Sequence, residues 1–402
     1  MKVVGLIVEY NPLHNGHLYH YQESLRTTGA EASVAVMSGN FLQRGEPAIV
    51  NKWARAQMAL DIGIDLVLEL PTVYCTQNAE TFAYGAVSTL DALGVVQQVC
   101  FGSESGDLSW LLELAAQLED EPVSFKEALK AQLTLGLPYP KAYARAAASL
   151  VGVPEELLNR PNNILGLNYV LALKRLGSSI QPATITRQKA GYHQADITDQ
   201  KIASATALRK LIFEQNLEAI GPYVPQATLE ILQHEKDQHR FPMSWDQFYS
   251  FLSHSLTVHS AESLSHIHEM EEGIEHRIKK LHSSASHFQE LMEILKTKRY
   301  TWNRIQRLLL YILLNLHKKE IEQLTKGKTP SYIRVLGFNE KGRQLLHMAK
   351  KKATVPIIAT VAGKEEWPML GLDLRAASVY CLGYPGKHPK EREFTRIPLM
   401  KA

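Results

Sequence analysis

The sequence predicts an α/β protein in which a doubly wound parallel sheet is followed by a mainly helical region. Three observations indicate this. Short β-branched and apolar runs alternate with helical patterns over residues 2–101. The apolar spacing is helical over residues 108–176 and over most of residues 226–330. The chain has 402 residues, whereas a single hydrophobic core stops growing at about 250–300 residues, so a domain boundary is expected.

The first strand of the predicted sheet is residues 2–8, which are apolar on both faces, as in a strand buried between two layers of helices. Further strands are expected at residues 32–37, 66–70, 95–101 and 180–187. Helices are expected at residues 51–61, 79–93 and 205–215. Because strands and helices alternate, right-handed crossovers should place helices on both faces of the sheet.

Two further regions complete the predicted organisation. Residues 108–176 are expected to form a helical insertion within a first domain of residues 1–221. Proline dipeptides at Gly221-Pro222 and Val224-Pro225 predict the boundary. The second domain, residues 222–402, is expected to be mainly helical. Its predicted strands, which would form a small α+β tail, are residues 330–337, 355–361 and 379–381.

Composition excludes several classes of protein. Residues 2–8 are followed by Asn11 and Pro12 instead of a signal-peptide cleavage site, so secretion is not expected. No window approaches the ~20 apolar residues that a membrane span requires. The three cysteines, Cys75, Cys100 and Cys381, are widely separated, which argues against a disulfide framework or a zinc site. We therefore expect a cytoplasmic protein with no membrane partner.

Positive charge is concentrated in the last quarter of the chain. Residues 291–402 hold 22 basic and 9 acidic side chains, although the whole chain has a net charge of only +3. This asymmetry predicts a polyanionic partner, most simply a nucleic acid. The candidate RNA contacts, which surround Tyr300 and Trp302 or follow one another in a lysine run, are Lys296, Lys298, Arg299, Arg304, Arg307, Lys350, Lys351 and Lys352. For any single one of them, a solvated helix face is the alternative. The histidines between residues 254 and 287 are irregularly spaced, which favours solvated surface over a metal site.

The turn after the first predicted strand carries the motif H-x-G-H, formed by His14, Gly16 and His17. Histidines three residues apart at the start of a helix lie on one face, beside the unpaired N–H groups of the first turn. Gly16 has no Cβ, which would let a nucleotide approach the backbone. The alternative is a capped helix with two incidental histidines. The position directly after a buried strand of an α/β sheet, where such folds bind nucleotides, favours an anion site.

A second candidate phosphate site is the sequence Ile202 to Arg209. Ser204 can cap a helix, Thr206 lies in its first turn, and Arg209 follows one turn later. These hydroxyl and guanidinium groups are of the type that binds phosphate oxygens. A simple capped helix is the alternative interpretation, which the upstream H-x-G-H motif makes less favourable.

These two motifs resemble those of the nucleotidylyltransferase superfamily. Three longer segments resemble, more narrowly, the bacterial tRNA(Met) cytidine acetate ligase family: VEYNPLHNGH at 8–17, MSGNFLQRGEPA at 37–48 and PNNILG at 161–166. The resemblance extends from the first residues to the tail. Leu13 departs from it, because an aromatic residue is expected there, but both side chains are apolar.

The resemblance implies an ATP-dependent ligase that activates acetate as acetyl-adenylate and acetylates N4 of the wobble cytidine in elongator tRNA(Met). It also implies a nucleotidylyltransferase-like sheet and Mg²⁺ bound with ATP. The implied ATP contacts are Ile7, Val8, Glu9, Tyr10, Asn11, Pro12, Leu13, His14, Asn15, Gly16, His17, Leu18, Tyr19, His20, Gly102, Asn162 and Arg187.

Physical reasoning assigns roles within this scheme. His14 and His17 are expected to donate hydrogen bonds to phosphate oxygens that gain charge, with Mg²⁺, Arg187 and Arg209 sharing that charge. Asn40, Gln43 and Arg44 follow the second predicted strand and are candidates for acetate or cytidine contacts, although an ordinary polar loop is an equal alternative.

Two other functions remain open at this point. One is adenylyl transfer or acetate ligation to a small-molecule or protein-thiol acceptor, which has little need of a basic tail. The other is a non-catalytic RNA-binding module with a vestigial nucleotide pocket. Intact His14, Gly16, His17 and Arg209 argue against such decay.

Overall fold

An eight-stranded mixed sheet forms the centre of the computed structural model, which describes residues 1–119, 122–137, 139–187, 202–364, 366–385 and 392–401. The strands in chain order are β1 (Val3–Val8), β2 (Ala32–Ser38), β3 (Leu66–Leu70), β4 (Gln98–Ser103), β5 (Gln181–Thr186), β6 (Ile333–Phe338), β7 (Ile357–Ile358) and β8 (Leu399–Met400). Their spatial order is β5-β4-β1-β2-β3-β6-β7, and β8 also pairs with β6. The predicted strand at residues 95–101 begins three residues later than expected.

Helices surround this sheet and occupy most of the second half of the chain. The helices of the first half are α1 (Asn15–Thr28), α2 (Lys52–Asp61), α3 (Thr72–Cys75), α4 (Ala79–Leu93), α5 (Ser109–Leu118), α6 (Val123–Thr134), α7 (Tyr139–Val151), α8 (Glu155–Leu158), α9 (Pro161–Leu176) and α10 (Ala205–Glu214). Those of the second half are α11 (Gln226–Asp237), α12 (Tyr249–Val258), α13 (Ala261–Ser265), α14 (Ile274–Leu281), α15 (Phe288–Leu295), α16 (Trp302–Leu314), α17 (Lys318–Thr325), α18 (Glu340–Ala349), α19 (Pro368–Leu382) and α20 (Arg392–Thr395). Short 3₁₀ helices occur at Glu218–Tyr223, Trp245–Phe248 and His282–Ser284.

The doubly wound arrangement is confirmed for β1 to β5, which pair in parallel. β1 to β4 each supply two cores, because successive side chains point to opposite faces. Val34 and Val36 pack with α4 and α9, whereas Ala35 and Met37 pack with α1, α2 and α10. The expected helical insertion is also confirmed, since α5 to α9 fill the connection between β4 and β5.

The C-terminal strands do not form a separate tail. β6 pairs antiparallel with β3 and so extends the same sheet, and β7 and β8 pair parallel with β6. Pairing with β6 covers what would otherwise be an exposed edge of β3. The domain division at residues 221 and 222 stays a prediction, but the two parts of the chain share one sheet.

The predicted strand at residues 379–381 is wrong, because these residues lie in α19. This helix buries Leu370, Leu372, Leu374 and Tyr380. Since α19 is buried around much of its circumference, its sequence lacks the one-sided apolar period by which a helix is recognised. A short apolar run then cannot be distinguished from a strand.

Candidate active site

A pocket opens at the carboxyl ends of β1, β4 and β5, where the sheet reverses its winding direction. β1 lies between β2 and β4, and α1 and α4 leave from opposite faces of the sheet. Open α/β sheets bind nucleotides at such a point. The predicted ATP-site residues that line the pocket are Ile7, Val8, Glu9, Tyr10, Asn11, His14, Gly16, His17, Tyr19, His20, Gly102, Asn162, Arg187, Ser204 and Thr206. The described positions Pro12, Leu13, Asn15 and Leu18 do not line it.

His14 and His17 form the tip of α1. His14 is the N-cap, and its Nδ1 accepts a hydrogen bond from Gly16 N at 3.0 Å. His17 Nδ1 accepts from His14 N at 3.3 Å, so the two histidines cap the helix reciprocally. Their rings stack with centroids 3.8 Å apart. Capping and nucleotide binding were alternative interpretations of the sequence, but they are compatible, because capping uses only Nδ1 of each ring and both residues line the pocket.

The capping contacts determine how each neutral ring is protonated. An Nδ1 atom that accepts a hydrogen bond carries no proton, so the proton is on Nε2. Burial, with the positive charges of Arg187 and Arg209, lowers the pKa of His14 to about 3. Burial and then the neighbouring His14, Arg187 and His20 lower the pKa of His17 well below its ordinary value. Both rings are therefore neutral near pH 7 and offer Nε2–H as a hydrogen-bond donor.

Gly16 also has a packing role, beyond the one expected from the sequence. A Cβ at this position would lie 2.8 Å from His14 Cε1 and 3.0 Å from His14 Nδ1. Its N–H group is already bonded to His14 and is not free for an anion. Gly16 therefore allows the His14 ring to fold back over the helix start, in addition to leaving the pocket open.

A polar network borders the pocket beside β4 and β5. Arg187 Nη1 donates to Asn162 Oδ1 at 3.2 Å, and Asn162 Nδ2 donates to Glu104 Oε1 at 2.7 Å. A Cβ on Gly102 would lie 3.0 Å from Arg187 Cγ, so the missing side chain lets Arg187 lie across β4. Burial and then Arg187 lower the pKa of His20 to about 4, against a hydrogen bond to Cys100 that raises it.

The second predicted motif reaches the same pocket from α10. Ser204 is the N-cap, and its side chain accepts from Ala207 N at 3.1 Å. Arg209 Nη1 donates to Asn11 O at 2.9 Å, and its Nη2 lies 3.3 Å from Glu46 Oε1. The structure thus brings the two motifs together, although they lie almost 190 residues apart in the chain. Residues 188–201, which join β5 to this motif, lie outside the described residues.

Two of the three candidate acetate or cytidine contacts in the loop after β2 lie at the pocket. Gln43 and Arg44 line the pocket, whereas Asn40 does not. Asn40 is buried, and its Oδ1 accepts from Lys52 N at 2.8 Å. Its amide is therefore used to hold the loop against the start of α2.

Sequence reasoning missed several residues of the pocket, most of them apolar. They are Phe82, Phe101, Leu165, Tyr169, Ile185 and Glu46. Phe101 and Tyr169 have ring centroids 5.5 Å apart. In the sequence these apolar residues have the same pattern as ordinary core residues, and only the adjacent Gly102 signals the open space beside Phe101.

The candidate RNA contacts fall into three environments. Lys296, Lys298 and Arg299 are exposed in the segment between α15 and α16. Arg304 and Arg307 instead pair with Glu271 and Glu269, both at 3.0 Å, and the expected aromatic Tyr300 is buried. Lys350, Lys351 and Lys352 are exposed at the end of α18. Lys352 packs against Gly94, since a Cβ on Gly94 would lie 2.8 Å from it. Gly94 precedes β4, so the lysine run lies near the amino ends of the strands, away from the pocket.

No metal centre or membrane span is present in the part of the chain that the structure describes. No group of three or more His, Cys, Asp or Glu side chains there could hold a metal ion. None of the helices within the described ranges is both long enough and apolar enough to cross a bilayer.

Known proteins resemble this chain over its whole length. A model of the family described as HIGH Nucleotidyl Transferase matches residues 1–395. A tRNA(Met) cytidine acetate ligase of Thermoanaerobacter sp. (strain X514) is 44% identical over 407 residues, covering 100% of both chains. The chain belongs to the tRNA(Met) cytidine acetate ligase family. A ligase of the same name from Bacillus subtilis (strain 168) is 42% identical, covering 98% of this chain and 95% of the relative.

Solved structures of the ligase family show the same fold. The apo crystal structure of Thermotoga maritima TmcAL superposes with a TM-score of 0.94 at 36% identity and covers 100% of this chain and 99% of its own. A second structure of that protein, bound with alpha-thio ATP, has a TM-score of 0.92 at 36% identity and the same coverage. The resemblance inferred from the three sequence segments is therefore confirmed over the whole length.

Proposed function

We propose that this protein uses ATP to activate acetate as acetyl-adenylate and transfers the acetyl group to N4 of the wobble cytidine of elongator tRNA(Met). The observation that carries this proposal is the pair of stacked imidazoles at the tip of α1, which share one pocket with Ser204 and Arg209. The activity named for relatives at 42–44% identity supports the same reaction. The α-thio ATP bound by the Thermotoga maritima protein supports the choice of nucleotide.

ATP is proposed to lie across the carboxyl ends of β4 and β1. Phe101 and Tyr169 form an apolar surface beside Gly102 that suits the base, and Arg187 and Asn162 offer polar groups beside it. The triphosphate would then extend towards His14, His17 and the start of α10. Helix N-termini and uncharged N–H donors favour anions without adding a competing negative charge.

The first step joins two anions, so its barrier is mainly electrostatic. An acetate oxygen attacks the α-phosphorus and pyrophosphate leaves, while negative charge grows on the phosphate oxygens. The Nε2–H groups of His14 and His17 are proposed to donate to these oxygens, and preorganised donors of this kind contribute about 10²–10³ in rate each. Arg209 would add positive charge at the same end of the pocket while it keeps its contact with Glu46.

Mg²⁺ is proposed to arrive on the triphosphate. The described residues contain no acidic cluster that could hold it alone. Mg²⁺ commonly keeps several waters and binds through substrate phosphates, which fits a pocket with few carboxylates. When bound, it would neutralise charge on the leaving pyrophosphate.

The tRNA is proposed to approach from the β2 side of the pocket. Gln306 of α16 donates through Nε2 to Arg44 O at 3.0 Å, so the basic part of the chain touches the loop that lines the pocket. Lys296, Lys298 and Arg299 lie just before this helix. We assign residues 1–221 to ATP binding and catalysis and residues 222–402 to holding the tRNA. A wobble base lies in a single-stranded loop, which makes its entry into a pocket less costly than extraction from a duplex. Because the proposed substrate is tRNA, we place the protein in the cytoplasm.

The direct test is incubation with ATP, Mg²⁺, labelled acetate and bacterial tRNA, followed by nucleoside analysis. We expect acetate-dependent pyrophosphate release and label in N4-acetylcytidine. Label in a small molecule or a protein thiol, with none in cytidine, would contradict the proposal. RNA binding without any acetate-dependent pyrophosphate release would instead indicate a non-catalytic RNA-binding protein.

A further inference from the structure

Glu9 lies between the proposed nucleotide site and the proposed tRNA side of the pocket. It follows directly after β1, and it lines the pocket together with Gln43 and Arg44 of the loop after β2. Along the sheet, β5 and β4 lie on one side of β1 and β2 lies on the other. The Glu9 side chain reaches towards β2, because it contacts Ser38 and Gln43.

Only one oxygen of this carboxylate is held by the part of the protein that the structure describes. Oε1 accepts from Gln43 N at 2.9 Å and from Ser38 Oγ at 3.2 Å. Among the described residues, none donates a hydrogen bond to Oε2. Because Glu9 lines the pocket, its second oxygen is available to a ligand there.

The charged and titratable groups facing Glu9 come from three elements. The loop after β2 supplies Arg44 and Glu46, α2 supplies Arg55, and α3 supplies Cys75. Arg55 does not neutralise the carboxylate directly, since its Nη1 donates to the backbone oxygen of Glu9 at 2.7 Å. Burial raises the pKa of Glu9, against the hydrogen bond from Gln43 that lowers it. A carboxylate with a raised pKa is a stronger base than an ordinary one.

We propose that Glu9 Oε2 accepts a hydrogen bond from the N4 amine of the wobble cytidine and takes its proton during acetyl transfer. The inference rests on the proposed function. The N4 lone pair attacks the carbonyl carbon of acetyl-adenylate and the C–N bond forms. The bond from that carbon to the phosphate oxygen then breaks, AMP leaves with the electron pair, and the proton moves from N4 to Glu9. Carboxylates are the side chains that recognise the exocyclic amine of cytosine.

Three other titratable groups of the pocket fit this role less well. His14 and His17 are poor proton acceptors, because their pKa values are strongly lowered and their Nδ1 atoms already accept hydrogen bonds. Glu46, the other carboxylate that lines the pocket among the described residues, lies 3.3 Å from Arg209. Glu9 therefore offers the base on the side from which the cytidine would enter.

The Glu9→Gln variant allows acetyl-adenylate formation and acetyl transfer to be tested separately. A glutamine oxygen can accept the same hydrogen bonds from Ser38 and Gln43, so the local structure should persist, but the charge and the base are lost. Acetyl transfer to tRNA in a single turnover should fall by about 10²–10⁴. Acetate-dependent exchange of pyrophosphate into ATP, measured without tRNA, should also be compared with the wild type. Its fold-loss should be at least ten times smaller than that of acetyl transfer. The matched control is Glu23→Gln on α1, whose carboxylate pairs with Arg26 and does not line the pocket, so both rates should be unchanged.

The pH profile gives a second readout. Wild-type transfer should rise with pH to a plateau, with a midpoint above the ordinary glutamate pKa of about 4.3. This rise should persist in Glu9→Asp, although at a lower rate, and should be absent in Glu9→Gln. Equal losses in both steps, or a transfer rate like that of the wild type, would overturn the inference. If the wild type itself forms no acetylcytidine, the proposed function fails, whatever the behaviour of Glu9.

Discussion

His14 and His17 stack at an interplanar angle of 26° while each ring accepts a backbone hydrogen bond at the start of α1. The same contacts that begin the helix therefore fix the tautomer of both rings. We expect His17→Ala to lower acetate-dependent pyrophosphate exchange by about 10²–10³, because one preorganised donor is removed. The affinity for tRNA should be almost unchanged when it is measured by filter binding. A variant with weakened tRNA binding and normal exchange would show that His17 has a different role.

Gly16→Ala tests the packing of the His14 ring. The new methyl group would lie within 3.0 Å of two ring atoms, so the ring must move away from its capping position. We expect a loss of exchange activity of tenfold or more, with little change in the midpoint of thermal unfolding. Gly221→Ala is the matched control, because its Cβ would meet only Leu229 at 3.9 Å. Full activity of Gly16→Ala would mean that the cap does not position His14.

The pH dependence of stability should report the buried histidines. His20 has a pKa of about 4 in the folded protein, whereas an unfolded histidine has a pKa of about 6.5. Between these values the unfolded chain binds more protons, so the stability present above pH ~6.5 is lost as the pH falls towards 4. When the free energy of unfolding is measured by urea denaturation at several pH values, its dependence on pH should be weaker for His20→Gln than for the wild type. Exposed His276→Gln should leave this dependence unchanged.

A buried ion cluster joins the two ends of the chain. Lys52 Nζ lies 2.6 Å from Glu69 Oε1 and 2.5 Å from Glu393 Oε1, and Arg334 Nη1 lies 2.8 Å from Glu393 Oε1. Burial would raise the pKa of Glu393, but Lys52 and Arg334 hold it at about 2. In Lys52→Met, the buried carboxylates of Glu69 and Glu393 lose a positively charged partner.

The expected cost of Lys52→Met is about 3–5 kcal/mol in the free energy of unfolding. Urea denaturation measures it, with exposed Lys280→Met as the control. A variant as stable as the wild type would mean that Arg334 alone compensates both carboxylates.

The exposed basic segment should govern the salt dependence of tRNA binding. Replacing Lys298 and Arg299 by alanine should weaken affinity and reduce the slope of log affinity against log salt by roughly 0.7 for each phosphate that is no longer neutralised. Alanine at Lys350, Lys351 and Lys352 should have a smaller effect, because these residues lie near the amino ends of the strands. A larger effect of the substitutions at residues 350–352 would instead place the tRNA at the amino ends of the strands. Arg307→Ala should lower stability in addition, since Arg307 is paired with Glu269.

The sequence by itself determined the alternation of β1 to β5 with their helices, the helical insertion and the H-x-G-H motif at the end of β1. These follow from local periodicity and from residue types at fixed spacing, which do not depend on distant contacts. The family was also accessible, because long segments such as residues 37–48 are specific without any structure.

Only the tertiary structure decided which groups remain available for chemistry. Asn40 and Arg307 have the polarity of site residues, but the fold uses them to hold a loop and to pair with Glu269. The pairing of β6 with β3, the burial of α19, the apolar wall at Phe101 and the orientation of Glu9 all depend on contacts between residues far apart in the chain. The physical reason is that hydrogen-bond partners and burial are properties of spatial neighbours, whereas sequence spacing specifies only neighbours along one helix or strand.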